Sequence, residues 1–168
     1  MNEILNNLQE NQLALVIVSL FAYIVVFNSR NSYVLSVGLY IALCLIHQSY
    51  DSYIMSLEGV ERITAAQMWY FGFAVTDFLY VLLVYKLHDK LKLQANKVSR
   101  FMLTGFIVLG FMQIARYIDR IVIDTNHLAE LYQISIPAIN ISVTLLIVYS
   151  SVASIAIHYY HKFKTGNV

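Results

Sequence analysis

WYFGFAVTDFLYVLLVY, residues 69–85, carries one charged side chain, Asp77, in a run of aromatic and aliphatic residues. At about 1.5 Å of rise per residue a helix of this length covers about 25 Å, most of the hydrocarbon thickness of a bilayer. A helix on the surface of a soluble bundle keeps a wet stripe, and this stretch has none. It reads as the centre of a membrane span over residues 65–85.

Working outward, four further segments have the same character. They cover residues 12–28, 33–55, 101–123 and 132–159, the last with Pro137 in its first turns, where a missing N–H costs little. The whole chain is 59% hydrophobic and 12% charged, against about 25% charged in ordinary soluble domains. Such a chain cannot cover its apolar surface in water. The expected fold is an all-α polytopic bundle of five transmembrane helices, a single membrane domain over residues 1–168 with no linker, repeat or low-complexity tract.

Composition also excludes. The net charge of +1 and the lack of a basic stripe interleaved with aromatics leave no footprint for nucleic acid. Cys44 is the one cysteine, so no intrachain disulfide forms, and its apolar setting makes it a packing residue. The opening MNEILNNLQENQ has no Lys or Arg, unlike a secretory leader, so the first apolar segment is expected to stay as a span. No P-loop, dinucleotide fingerprint, HExxH or GxSxG occurs. No catalytic residue, metal or cofactor is assigned, and the chain leans away from an enzyme.

Basic residues set the expected orientation. Lys86, Lys90, Lys92, Lys97 and Arg100 crowd the third connection, Arg30 lies in the first, and Lys162 and Lys164 follow the last span, opposite Glu3, Glu10, Asp51, Glu58 and Glu61. With five spans, eight of the eleven basic residues fall on one side. The positive-inside rule makes that side cytoplasmic, so the N-terminus is expected outside, in a bacterial-type cytoplasmic (inner) membrane. The same basic loop is a topology signal first and a docking surface for anionic headgroups second. Trp69, Tyr70, Tyr132, Tyr159 and Tyr160 fall near the expected interfaces, as aromatic belts do.

The polar residues inside the spans are the functional candidates. Asp77 lies about 18 Å into its helix. An ionised Asp at that depth costs roughly 2.5–3.5 kcal/mol unless it is paired or hydrated. It is either an ion-handling carboxylate, with Gln113 at similar depth, or a structural hydrogen-bonding group, with Thr76, Tyr80 or Gln113 as partners. In QIARYIDRIVID, residues 113–124, helical phase at about 100° per residue gathers Arg116, Asp119, Arg120 and Asp124 into one outer stripe, continuing to His127. The spacing pairs Arg116 with Asp119 and Arg120 with Asp124. This is the amphipathic end of an emerging helix, or a charged vestibule or subunit contact. His47 and Asp51, four apart, form an outer polar pair that Asp124 and His127 would have to join to make a metal site. His88, His158 and His161 read as inner-surface residues, which leaves no matched pair for a membrane haem. Gly38 with Ala42 and Gly72 with Thr76 have the spacing of closely packed helices.

Three functions fit, in this order. The first is a subunit embedded in the lipid bilayer that assembles with its own copies or another membrane subunit as a scaffold, sensor or small pore. The second is a proton- or cation-coupled transporter using Asp77, and the third an intramembrane enzyme built on His47, Asp51, Asp124 and His127.

Overall fold

A computed structural model describes residues 2–28, 31–57 and 59–165, with side chains from residue 11 onward. Arg30, Glu58 and the side chains of Glu3 and Glu10, which enter the orientation argument, lie outside the described residues. The chain is a bundle of five helices: α1 (Asn2–Phe27), α2 (Ser32–Met55), α3 (Arg62–Lys90), α4 (Lys97–Tyr117) and α5 (Ala129–Lys164), with α4 prolonged by a π-helical turn, Ile118–Val122. Among the described residues there is no strand. Helices α2 to α5 are each long and apolar enough to cross a membrane, and residues 11–27 of α1 form a shorter apolar helix. The molecule is a helical membrane bundle.

Successive helices run antiparallel, which contacts at the two ends make plain. At one end, the C-terminal face, the ring of Phe27 meets His158 at 5.3 Å, and Ser32 of α2 is hydrogen-bonded to Ser99 of α4 at 2.7 Å. At the other, the N-terminal face, Tyr50 of α2 donates to the Met68 carbonyl of α3 at 2.6 Å, and Tyr132 of α5 donates to Gln113 of α4 at 2.8 Å. Local sequence starts the helices. Asn31 and Asn96 sit at the N-caps of α2 and α4 and accept from the Val34 and Ser99 amides at 3.1 and 2.8 Å, satisfying donors that a helix start leaves open. Helix α3 ends in a left-handed residue, Lys92 (φ 51°), with Leu93 N–H bonded to the His88 carbonyl, the Schellman pattern that usually has Gly there. Pro137 lies in the interior of α5, because that helix starts at Ala129.

The core is narrow. Val37, Tyr40, Tyr80, Met102, Phe106 and Ile147 are buried at its centre, while Val18, Phe21, Val25, Leu145 and Val152 turn outward. An apolar outside around a core containing polar groups is what lipid demands of a bundle, since hydrocarbon gives no reason to bury Leu or Val. The closest approach is not at both expected glycines. A Cβ on Gly72 would strike the Tyr50 ring, but one on Gly38 meets nothing within 4 Å. Gly110 carries the tight contact between α3 and α4, where a Cβ would lie 2.7 Å from the Phe78 ring.

Candidate functional site

A cavity of about 440 Å³ penetrates the bundle in its N-terminal half. Its walls repeat every four residues: His47 and Asp51 on α2, Trp69, Phe73 and Asp77 on α3, Leu109 and Gln113 on α4, Tyr132, Ile136 and Asn140 on α5. Four-residue steps keep side chains on one helix face, so each helix contributes a ladder of residues at graded depth. Because the helices alternate in direction, Asp51, Trp69 and Tyr132 fall toward the N-terminal face and Asp77, Leu109 and Asn140 lie deepest. A second cavity of about 530 Å³, lined by Gln12, Tyr40, Cys44 and Phe106 among others, adjoins the first along His47, Gln48 and Asn140.

Asp77 closes the floor. The residue is 2% exposed, and its Oδ1 has no hydrogen-bond partner among the described residues. None of the expected partners bonds its Oδ1. Thr76 donates back to the carbonyls of Gly72 and Phe73, as hydroxyls in membrane helices often do, at 2.9 and 3.0 Å. Tyr80 donates to the Ser36 carbonyl at 3.2 Å, and Gln113 accepts from Tyr132. Beside Asp77 stands instead His47, with Nε2 at 3.7 Å from Oδ1, beyond hydrogen-bond range. Because the Thr76 proton goes to the backbone, Thr76 accepts from His47 Nε2 at 2.7 Å, which puts the imidazole N–H on the nitrogen nearer the carboxylate. The His47 ring is held edge-on against Phe73 at 4.8 Å.

His47 and Asp51 are therefore not bonded to each other. His47 turns to Thr76 and Asp77, while Asp51 leaves its buried Oδ1 without a partner among the described residues. Both nevertheless line the same cavity as Asp77, which their separation by 26 and 30 positions in sequence conceals. Gln12 Nε2, in the adjoining cavity, is a further buried polar atom without a partner among the described residues.

The outer stripe divides. Arg116 and Asp119 form the expected pair and are 7% and 5% exposed. Asp119 also accepts from Thr125 Oγ1 at 2.6 Å and from the amides of His127 and Leu128 at 3.2 Å, and Arg116 reaches Asn126. These two residues tie down the α4–α5 connection. The pairing of Arg120 with Asp124 does not occur. The chain widens into the π turn, Ile123 N–H bonds the Ile118 carbonyl five residues back, and Asp124 leaves the helix at φ 55°. Helical phase cannot be carried through such a turn, so Arg120 goes to Tyr70 at 3.2 Å and Asp124 and His127 stay exposed on the connection. No three His, Cys, Asp or Glu side chains are grouped so as to hold a metal ion among the described residues, so His47, Asp51, Asp124 and His127 do not assemble a metal site.

The C-terminal half is knit shut by a network that sequence reasoning missed. His88 donates from Nδ1 to the Val84 carbonyl at 2.7 Å and accepts at Nε2 from Ser32 at 2.8 Å. Ser32 accepts from the Asn96 amide at 3.0 Å and meets Ser99, which accepts from Ser36 at 2.8 Å. His88 is thus buried rather than at the inner surface. Around this layer Lys86, Lys90, Lys92, Lys97 and Arg100 are all exposed. No family model, curated protein or solved structure matches the chain.

Proposed function

We propose that this protein is a cation-coupled carrier whose working group is the Asp77 carboxylate, at the floor of a cavity reached from the N-terminal face. One observation carries the reading: a carboxyl group buried within an apolar helix faces a cavity, has no donor on its Oδ1 among the described residues, and has His47 Nε2 3.7 Å away. Intramembrane acids are expensive, and those with structural roles are hydrogen-bonded. A carboxylate left without a donor is free to take up and release a proton or a small cation. The dense Ser32–Ser99–His88 layer opposite supports a one-sided state of an alternating-access cycle.

We further propose that the C-terminal face is cytoplasmic, in a bacterial-type inner membrane, with the five exposed basic residues beneath anionic headgroups. Assembly as an oligomeric subunit (scaffold, sensor or small pore) is the second reading. A groove between α4 and α5, with Gly105 at its base and the small residues Thr104, Ala138 and Ser142 exposed along it, favours it by allowing another helix to approach closely.

The test is proton flux in proteoliposomes carrying an internal pH dye. Wild-type protein should dissipate an imposed gradient above empty liposomes, and Asp77→Asn, inserted to the same level, should not. Wild-type flux in the Asn variant would end the carrier reading.

A further inference from the structure

We infer that the cavity takes an organic ammonium ion, a protonated or quaternary amine with an apolar body, and that Asp77 is its counter-ion. This rests on the reading of the Asp77 cavity as the working site.

The charge on the lining is one-sided. Two carboxyl groups, Asp51 and Asp77, face the cavity, and among the described residues no Lys or Arg does. The nearest arginines along α4 do not line it and are bonded to other groups, Arg116 to Asp119 and Asn126, Arg120 to Tyr70. His47, the other ionisable group on the wall, already spends its Nε2 N–H on Thr76. An anion would meet two carboxyl groups and no described cation here, whereas a monocation meets a buried carboxyl oxygen that no described group satisfies.

The remaining walls favour an organic cation over a bare one. A metal ion asks for several oxygen ligands at matched distance, and no three acidic, His or Cys side chains are placed to hold one among the described residues. The walls above Asp77 are instead Trp69, Phe73, Tyr132 and Ile136, with Leu109 beside it at the floor. Trp69 and Phe73 lie with ring centroids 5.0 Å apart, forming an aromatic side on which an ammonium methyl or an aryl body can rest. The volume of about 440 Å³ falls within the range of small-molecule sites, about 300–1,000 Å³. Gln48, Gln113 and Asn140 add neutral polar atoms that set orientation without adding charge.

Trp69 is the one tryptophan in the chain and stands in the cavity wall, so its emission reports occupancy directly. Full-length protein in nanodiscs is titrated with benzyltrimethylammonium and, in parallel, with neopentylbenzene, its neutral isostere. The expected result is a saturable change with the cation, about tenfold or more weaker with the isostere, as loss of a desolvated charge contact implies. Asp77→Asn should weaken the cation by about tenfold or more and leave the isostere unchanged, and Asp77→Glu should retain the preference for charge. If Asp77→Asn is not monodisperse, Asp77→Glu together with Asp51→Asn carries the comparison. Equal binding of cation and isostere overturns the inference, as does the absence of saturation up to roughly 10 mM. Asp77-dependent proton flux with no ammonium binding would remove the ligand class and leave the carrier standing. Ammonium binding without Asp77-dependent flux would do the reverse.

Discussion

Replacing Asp77 should raise the stability of the protein while abolishing its activity. The carboxyl group is 2% exposed, its Oδ1 lacks a partner among the described residues, and His47 Nε2, 3.7 Å away, is hydrogen-bonded to Thr76. A buried polar group left unsatisfied costs about 1–3 kcal/mol. Asp77→Leu removes that cost, and the larger side chain grows into the adjoining cavity rather than into packed neighbours, so overpacking is avoided. The variant should gain about 1–3 kcal/mol, which for a chain of this size is a rise of roughly 2–12 °C in the thermal midpoint. Asp77→Asn exchanges one unsatisfied polar group for another and should stay within about 1 kcal/mol of wild type. The measurement is thermal unfolding in nanodiscs, followed by circular dichroism, beside the flux assay on the same preparations. Gain of stability with loss of flux is the signature of a group kept for function at the expense of the fold. If Asp77→Asn instead lowers stability by about 2 kcal/mol or more, the carboxylate is holding helices together and the functional argument fails.

Three further outcomes are expected. Gly110→Val should destabilise the bundle by about 1–3 kcal/mol, because its Cβ would press on the Phe78 ring, whereas Gly38→Ala, with nothing within 4 Å, should be neutral or gain about 0.5–1 kcal/mol; unfolding midpoints of the two compared side by side decide it. Asp119→Ala removes the acceptor shared by Arg116, Thr125 and the amides of His127 and Leu128, so hydrogen exchange and protease cleavage across residues 123–128 should rise sharply, and unchanged protection would show the connection to be held by other means. Lys92→Gly relieves a left-handed conformation at the end of α3 and should stabilise by about 1 kcal/mol, read as a shift of the midpoint with flux intact.

The medium was legible in the sequence, because it depends on sums. Five runs of apolar residues and a charged fraction of 12% determine that the chain lives in lipid, and each helix can be placed from composition and length without knowing what it touches. The i, i+3 pairing of Arg116 with Asp119 was legible for the same reason: it needs one helix and no neighbour. Helical phase stops predicting neighbours where regular geometry stops. Arg120 and Asp124 are four apart on paper, but the π turn between Ile118 and Val122 changes the rotation per residue and separates them. The ladders at four-residue spacing, Trp69–Phe73–Asp77 and Tyr132–Ile136–Asn140, were present in the sequence as a signal, but in a helix apolar on every side nothing indicates which ladder faces protein and which faces lipid.

By itself, then, the sequence determined the solvent, the number of helices and the presence of one acidic residue inside an apolar span, all of which follow from local composition. Only the tertiary structure decided what that residue meets. Asp77 faces a cavity with His47 beside it, and not Gln113, Tyr80 or Arg116, because rotation about the helix axis is set by packing between helices, through contacts such as Gly110 on Phe78 and Gly72 on Tyr50. Burying apolar side chains drives no such choice in lipid, so the fit of one helix surface against another makes it.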